Sequence, residues 1–435
     1  MRSFFLNLLR WKLHALARLT IWRYRPGIVG VTGSVGKTST KLAIGVVLRG
    51  VRRVRISSGN LNNEFGLPLA ILGDWTQAEL LLVSRATPAG TARFEKLLFW
   101  IKVIVTSAWR VAAKSKHYPE ILILEYGADK PGDIKKLLKI AKPNVSVITA
   151  IGEYPAHVEF YASPEAVARE KGRLIECLPV AGFAVLNYDD ETVMNLEPRA
   201  RARVITYGFE KGAEMQVARF ENRVQDGRPA GIVFKLNCGG NSVPVHIEGA
   251  LGRSQAYAAA AAASVGLIFG INLAKISEAL GNYRSADSRM QLVPGIKDTY
   301  LIDDSYNASP LSMHAALDTL RDLPAKRRVA VLGDMLEIGK YTLEAHEQVG
   351  RLAAESVDIL FTVGARAKFI AEAARKEGMK RASIQSFDVA DDAGKPLQEI
   401  MRKGDLVLIK GSHAMQLNKV VEEVKDVQLA SSSNG

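Results

Sequence analysis

Short apolar runs separated by longer mixed stretches set the pattern of this chain. Ile28–Val31, Val54–Ile56, Ile121–Leu124, Val145–Thr149, Ala184–Asn187 and Val204–Thr206 are brief and mostly apolar, with Val and Ile prominent. Runs of this kind read as buried strands. Helical spacing fills several of the gaps between them, as in Ser163–Cys177. Alternating strands and helices predict an α/β fold around a mostly parallel sheet. Gln216–Ile247 alternates apolar and polar positions with Gly at its turns, which predicts antiparallel hairpins. Ser254–Phe269 reads as an Ala-rich helix. Near Gly281–Arg289 the pattern restarts. Strands at Tyr300–Ile302, Val329–Leu332, Ile359–Val363 and Leu406–Ile409 alternate with helices and predict a second, smaller Rossmann-like α/β domain.

The N-terminus follows a different rule. Ser3, Asn7, Arg10, His14 and Arg18 recur at helical spacing, with Phe5, Leu9, Leu13 and Leu16 opposite. Residues 1–25 therefore read as a basic amphipathic helix, with Trp11 and Trp22 as interfacial anchors. Arg10, Lys12, His14 and Arg18 interrupt any apolar core, so a secretory signal is not expected. Leu97–Ala113 contains Lys102 and Arg110 and falls short of the roughly 20 apolar residues that span a bilayer. The expected organisation is the basic helix 1–25, a nucleotide-binding domain over 26–285 with an insert at 85–118, a second α/β domain over 286–430, and a frayed polar tail at 431–435.

Composition narrows the class. With 48% hydrophobic and 24% charged residues in 435, the chain is expected to fold as two or three globular domains. Cys177 and Cys238 cannot make a disulfide scaffold, fit a reducing compartment, and are expected to be buried and inert. The net charge is +13, but it is local. Twelve basic residues precede the first acidic one, Glu64, and the insert carries seven against Glu95 alone. A basic surface patch is expected rather than a nucleic-acid-binding face.

The strand–loop–helix context of Thr32-Gly33-Ser34-Val35-Gly36-Lys37-Thr38 suits a phosphate cradle. Glycines let backbone N–H groups converge on phosphate at a helix N-terminus, Lys37 reaches the terminal phosphates, and the Thr38 hydroxyl suits Mg²⁺. Val31 stands where the first Gly of the longer phosphate-loop pattern belongs. An ordinary Gly-rich turn is the plainer alternative.

Together with seven later stretches of the chain, the loop resembles the Mur ligase family of ATP-dependent ligases, which join an amino acid or peptide to a carboxylate. The matching stretches are Gly59-Asn60-Leu61-Asn62-Asn63-Glu64, Glu125-Tyr126-Gly127-Ala128, His157-Val158-Glu159, Glu170-Lys171-Gly172, Asp303-Asp304-Ser305-Tyr306-Asn307-Ala308-Ser309-Pro310, Gly333-Asp334-Met335-Leu336-Glu337 and Lys410-Gly411-Ser412. The resemblance implies an acyl phosphate made from ATP and attacked by an amine. It implies catalytic roles for Lys37, His157 and Lys171, the last carbamylated. It implies two Mg²⁺, held by Thr38, Glu125, His157 and Lys171. ATP contacts would come from residues Thr32 to Thr38, Gln255, Arg289 and Asp304. Asn60, Asn62, Asn63, Asn307, Lys410 and Ser412 would face the substrates. These would be a muramoyl-peptide carboxylate and an amine such as D-alanyl-D-alanine.

Without the resemblance each assignment has a plainer reading. Glu125 would cap a helix, His157 would be a loop histidine, and Lys171 a solvated helix lysine. Arg289 would form an interdomain salt bridge, Asp303-Asp304 a turn before the Pro310 helix, and Lys410 and Ser412 a bare strand-end turn. Departures from the family also stand out. Only 31 residues precede Thr32, so the family's N-terminal UDP-binding domain is expected to be missing. Thr149-Ala150 replaces Thr-Asn, Ser254-Gln255 replaces His-Asn, and His413 and Asn418 replace Arg and Glu. A lipid-linked or folate-like acid is therefore an alternative substrate, and a non-catalytic nucleotide-binding membrane partner an alternative function. The basic, Trp-bearing segments 1–25 and 85–118 imply contact with an anionic membrane surface or lipid-linked substrate, or else simply cover one another. A cytoplasmic location, peripheral at the inner face of the membrane, is expected.

Overall fold

A computed structural model describes residues 2–59, 61–83 and 93–426. Asn60, Arg85 and the tail 431–435 lie outside the described residues. The chain starts with helix α1 (Arg2–Tyr24), then strand β1 (Gly27–Thr32), α2 (Lys37–Arg49) and β2 (Val54–Ile56). Three helices follow: α3 (Gly66–Leu72), α4 (Gln77–Val83) and α5 (Arg93–Ala113). Next come β3 (Ile121–Glu125), α6 (Asp133–Leu138), β4 (Val145–Ile148), α7 (Pro164–Glu176), β5 (Phe183–Asn187), α8 (Glu191–Met194) and β6 (Arg203–Gly208). Strands β7 (Met215–Gln225), β8 (Arg228–Cys238) and β9 (Asn241–Glu248) precede α9 (Arg253–Ile268) and α10 (Leu273–Gly281).

Among the described residues these strands form one sheet in the order β2-β3-β1-β4-β5-β6-β7-β8-β9. It is parallel from β2 through β7 and antiparallel from β7 to β9. The hairpins expected from the alternating segment are therefore appended to the parallel sheet. Period-2 geometry sorts its side chains. Val29 and Val31 of β1 pack with α2 and the Ala-rich α9 on one face. Ile28 packs on the other face, with Leu13 and Ala17 of α1 and Phe99 and Val103 of α5.

The second sheet begins at β10 (Gln291–Gly295) and continues through β11 (Thr299–Asp304), β12 (Arg327–Gly333), β13 (Ile359–Val363), β14 (Ile384–Phe387) and β15 (Asp405–Lys410). Its order is β10-β11-β15-β12-β13-β14, with β10 antiparallel to its neighbour and the rest parallel. The sequence pattern missed β10 and β14. Both lie at sheet edges, where half-exposed strands lose the continuous apolar run. Helices α11 (Pro310–Asp322), α12 (Thr342–Ser356), α13 (Ala367–Lys376), α14 (Gly394–Ile400) and α15 (Asn418–Val424) cover it. Cys177 and Cys238 are half-buried rather than buried, and burial pushes the Cys177 thiol up to about 11.

Helix α1 also differs from its expected amphipathic form. Leu9, Leu13, Ala17 and Thr20 turn inward, but Phe5 is exposed, together with Phe4, Leu8, Trp11, Leu19 and Trp22. The helix has two apolar faces, and the described residues cover only one. Among the described residues no helix is long and apolar enough to cross a membrane.

Candidate active site

Sheet order builds the centre of the site. β1 lies between β3 and β4, so the carboxyl ends of three parallel strands converge, the usual place for a ligand in such sheets. Val31 pairs with Glu125 and Thr32 with Ile148. The chain leaves β1 through Gly33 (φ 150°) and enters α2 through Gly36 (φ 86°). A Cβ on Gly33 would sit 1.9 Å from Thr149 Oγ1. Only glycine fits there.

The loop is held from both sides. The Thr32 hydroxyl donates to Tyr126 O, and Thr149 Oγ1 donates to Val35 O at 2.6 Å. Ser34 and Val35 N–H donate to Ala150 O. Ser34 Oγ is buried and has no hydrogen-bond partner among the described residues. With the open N–H groups of the first turn of α2, this orphan hydroxyl fits the loop to a polyphosphate oxygen.

Three lysines surround the loop. Lys37 Nζ donates to Gly33 O at 2.9 Å and to Ser34 O at 3.2 Å. Lys171 arrives from α7 and donates to the same Gly33 carbonyl at 2.9 Å. It is 1% exposed, which removes the solvated-helix reading. Burial, and then the neighbouring Lys37 charge, bring the Lys171 ammonium down to about 7. Burial also lowers Lys37, against the attraction of Glu125. Lys41, one turn after Lys37, places Nζ 3.1 Å from Glu125 Oε2 and donates to Gly59 O.

Glu125 is the hub of this half-site. Its Oε2 accepts from the Thr38 hydroxyl at 3.3 Å, and its Oε1 accepts from Asn62 Nδ2 at 3.2 Å. Burial opposes its ionisation, but Lys41, Lys37 and Arg289 together hold its carboxyl below the usual range. A buried carboxylate oxygen beside a threonine hydroxyl is an oxygen donor set that suits Mg²⁺.

His157 closes the other side. Its Nε2 lies 3.6 Å from Asp129 Oδ1 and its Nδ1 2.5 Å from Glu337 Oε2, close contact outside hydrogen-bond direction. His157 (φ 69°) and Glu337 (φ 64°) are both left-handed. Such strained backbone costs a non-glycine residue of order 1–3 kcal/mol and collects at functional sites. This contact joins the two sheets across the cleft.

The second half-site follows β11 and β15. Asp304 accepts from Met290 N and pairs with Lys410, which also donates to Asn307 O. Burial raises the Asp304 carboxyl despite Lys410. The Arg289 guanidinium stacks 4.1 Å from the Tyr306 ring, whose other neighbour is His413, centroids 5.3 Å apart. The Ser412 hydroxyl accepts from Leu336 N, next to the loop carrying Glu337.

Two residues expected at the ligands also hold the protein's own backbone. Gln255 is 1% exposed, and its amide donates to Arg289 O and accepts from Tyr283 OH. It clasps the connection between the sheets. Asn63 Oδ1 accepts from Phe65 and Gly66 N, securing the start of α3. Asn60 lies outside the described residues. Sequence reasoning missed Lys41, Asp129 and Glu337. The four-residue step from Lys37 to Lys41 was a legible signal, and Glu337 ends the matching stretch Gly333–Glu337; Asp129 had none, because its role rests on packing against His157.

Known proteins share the family and the fold. Residues 106–266 match the Mur ligase middle domain, and residues 288–413 match the domain described as Mur ligase, glutamate ligase domain. The UDP-N-acetylmuramoyl-tripeptide–D-alanyl-D-alanine ligase of Mycobacterium leprae is 31% identical, over 91% of this chain and 72% of its own. The Bacillus subtilis enzyme of the same name is 29% identical, over 96% and 80%. The crystal structure of MurF ligase from Thermotoga maritima in complex with ADP superposes with a TM-score of 0.76 at 26% identity, covering 95% of this chain and 83% of that one. MurF from Acinetobacter baumannii gives the same TM-score at 23% identity, covering 95% and 80%, which speaks for the fold alone.

Proposed function

The chain belongs to the Mur ligase family, and we propose that it joins D-alanyl-D-alanine to the terminal carboxylate of a UDP-N-acetylmuramoyl-tripeptide at the expense of ATP. The observation that carries this reading is the shared Gly33 carbonyl. It gathers Lys37 and Lys171 at the loop, within charge range of Glu125. Phosphoryl transfer needs positive charge and fixed donors more than covalent chemistry; Lys37 and the loop supply these, while Lys171, brought near neutrality, supplies the amine for a carbamate.

In the first step a carboxylate oxygen of the acid attacks the γ-phosphorus of ATP, and ADP leaves with the electrons of the broken P–O bond. Lys37 and the first N–H groups of α2 hold the moving phosphoryl group. In the second step the amine attacks the acyl carbon, phosphate departs, and the nitrogen gives up a proton. Thr38 and Glu125 would hold one Mg²⁺; His157 and a carbamate on Lys171 would hold the second. When bound, these ions neutralise the developing phosphoryl charge. A Lys171 ammonium brought down to about 7 supplies the neutral amine that adds to carbon dioxide. Arg289 and Asp304 face the nucleotide from the interdomain side, and Asn62, Asn307, Lys410 and Ser412 take the substrate side. Work at the inner face of the membrane, through 1–25 and 85–118, belongs to the same proposal.

The test is phosphate release from ATP with mass spectrometry of the products. It requires UDP-N-acetylmuramoyl-tripeptide, D-alanyl-D-alanine and Mg²⁺. Turnover that needs both substrates and yields the pentapeptide is the expected result. Turnover only with a lipid-linked or folate-like acid would replace the substrate assignment. Nucleotide binding without turnover on any acid would replace the enzyme with a nucleotide-binding partner protein.

A further inference from the structure

Two long helices lie on the sheet face opposite α2. They pack against each other where the Tyr24 hydroxyl donates to Arg110 O. Each buries one stripe and exposes another. On α5 the buried stripe is Phe99, Val103 and Ser107. The exposed one is Phe94, Leu97, Leu98, Ile101, Val105 and Trp109, a run at helical spacing with residues up to 72% exposed. On α1 the exposed stripe is Phe4, Leu8, Trp11, Leu19 and Trp22. Singly exposed apolar residues need no explanation, but two adjoining stripes on paired helices do.

Charge identifies what covers them. At 100° per residue, Lys12 flanks the α1 stripe on one side and Arg18 on the other, and both are exposed. Lys102 flanks the α5 stripe beside Glu95 and pairs with Glu79, so the cations that border the stripe freely are the exposed Lys114 and Lys116 after its end. An apolar ridge bordered by cations and carrying Trp matches the boundary between acyl chains and anionic headgroups. A second copy docked on the same face by a twofold axis would bring like charges together.

We propose that the paired exposed faces of α1 and α5 dock on an anionic lipid bilayer. The same helix grips the substrate side of the site. Arg10 pairs with Glu64, and His14 Nε2 bonds Glu64 O, two residues after the Asn62 that holds Glu125. Docking therefore sets that loop about one helix diameter, roughly 10 Å, from the bilayer. The proposal deepens the membrane part of the proposed function, and its test reads binding rather than turnover, so the two fail separately.

The full chain is sedimented with phosphatidylcholine vesicles, with and without phosphatidylglycerol. Its oligomeric state is followed by light scattering. Binding to the anionic vesicles is expected. It should fall roughly tenfold in Trp11→Glu/Ile101→Glu, whose sites are exposed, and also at high salt. No binding, or binding that the double variant leaves unchanged, overturns the proposal. So does a dimer that the double variant dissociates while neither protein binds vesicles.

Discussion

Lys41 Nζ and Glu125 Oε2 lie 3.1 Å apart with both side chains almost fully enclosed, at 1% and 2% exposure. The pair ties the second turn of α2 to the end of β3, and Lys41 also reaches Gly59 O. Enclosed charges are retained when each has a partner, and removing one partner strands the other.

Lys41→Met should therefore cost about 3–5 kcal/mol of stability in denaturant unfolding. Lys41→Met/Glu125→Leu should recover much of that loss while remaining inactive. The pH dependence has a defined sign. The folded Glu125 carboxyl is held low, so its stabilisation is present above its unfolded value of 4.5 and is lost as pH falls through the lower folded value. Lys41→Met should narrow this acid window. An unchanged acid unfolding midpoint would contradict the arrangement.

Lys171 responds to pH and carbon dioxide together. Its ammonium is lowered from 10.5 to about 7, so the folded state binds fewer protons than the unfolded chain between those values. In carbon-dioxide-free buffer, stability should rise as pH goes from 7 to 10.5, and Lys171→Met should flatten that rise. Ligase turnover should fall in the depleted buffer and return with bicarbonate. Lys171→Ala should lose roughly 10²–10³-fold in kcat, with partial recovery in acetate.

Gly33→Ala tests the cradle itself. The added methyl meets Thr149 Oγ1 at 1.9 Å, at a backbone conformation that disfavours side chains. Calorimetric titration with ADP should show binding weakened beyond detection, with destabilisation of about 1–3 kcal/mol. Wild-type ADP affinity in this variant would mean that phosphate binds elsewhere.

Gln255 and Arg289 form a pair with separable effects. Arg289→Ala removes a cation that acts on Lys37 and Glu125 and stacks on Tyr306, and should weaken ADP binding about tenfold. Gln255→Leu removes two hydrogen bonds in the connection and leaves Arg289 O without its donor, while Tyr283 OH keeps Ser39. It should cost about 1–3 kcal/mol of stability without altering the preference for ATP over GTP. A changed base preference would return Gln255 to the adenine pocket.

The order of residues alone was enough for the succession of strands and helices, the antiparallel appendage and the loop from Thr32 to Thr38. It also marked the polar residues after strands that populate the site. These features are local. Periodicity records which side of an element is covered, and a glycine-bounded turn records a backbone conformation. The edge strands β10 and β14 escaped because partial exposure blurs the same signal. Which side chains meet was settled by packing in three dimensions. Lys171 reaches Gly33 across 138 residues and Asn62 reaches Glu125 across 63. Sheet order, which sets β1 between β3 and β4, has no local signature. Burial then changed the chemistry. It made Lys171 a lysine near neutrality, turned the Gln255 amide inward, and set Arg10 and His14 of the polar face of α1 onto Glu64. One cause is common to all three. Desolvation and pairing depend on what the rest of the chain packs around a group, and no stretch of sequence carries that information alone.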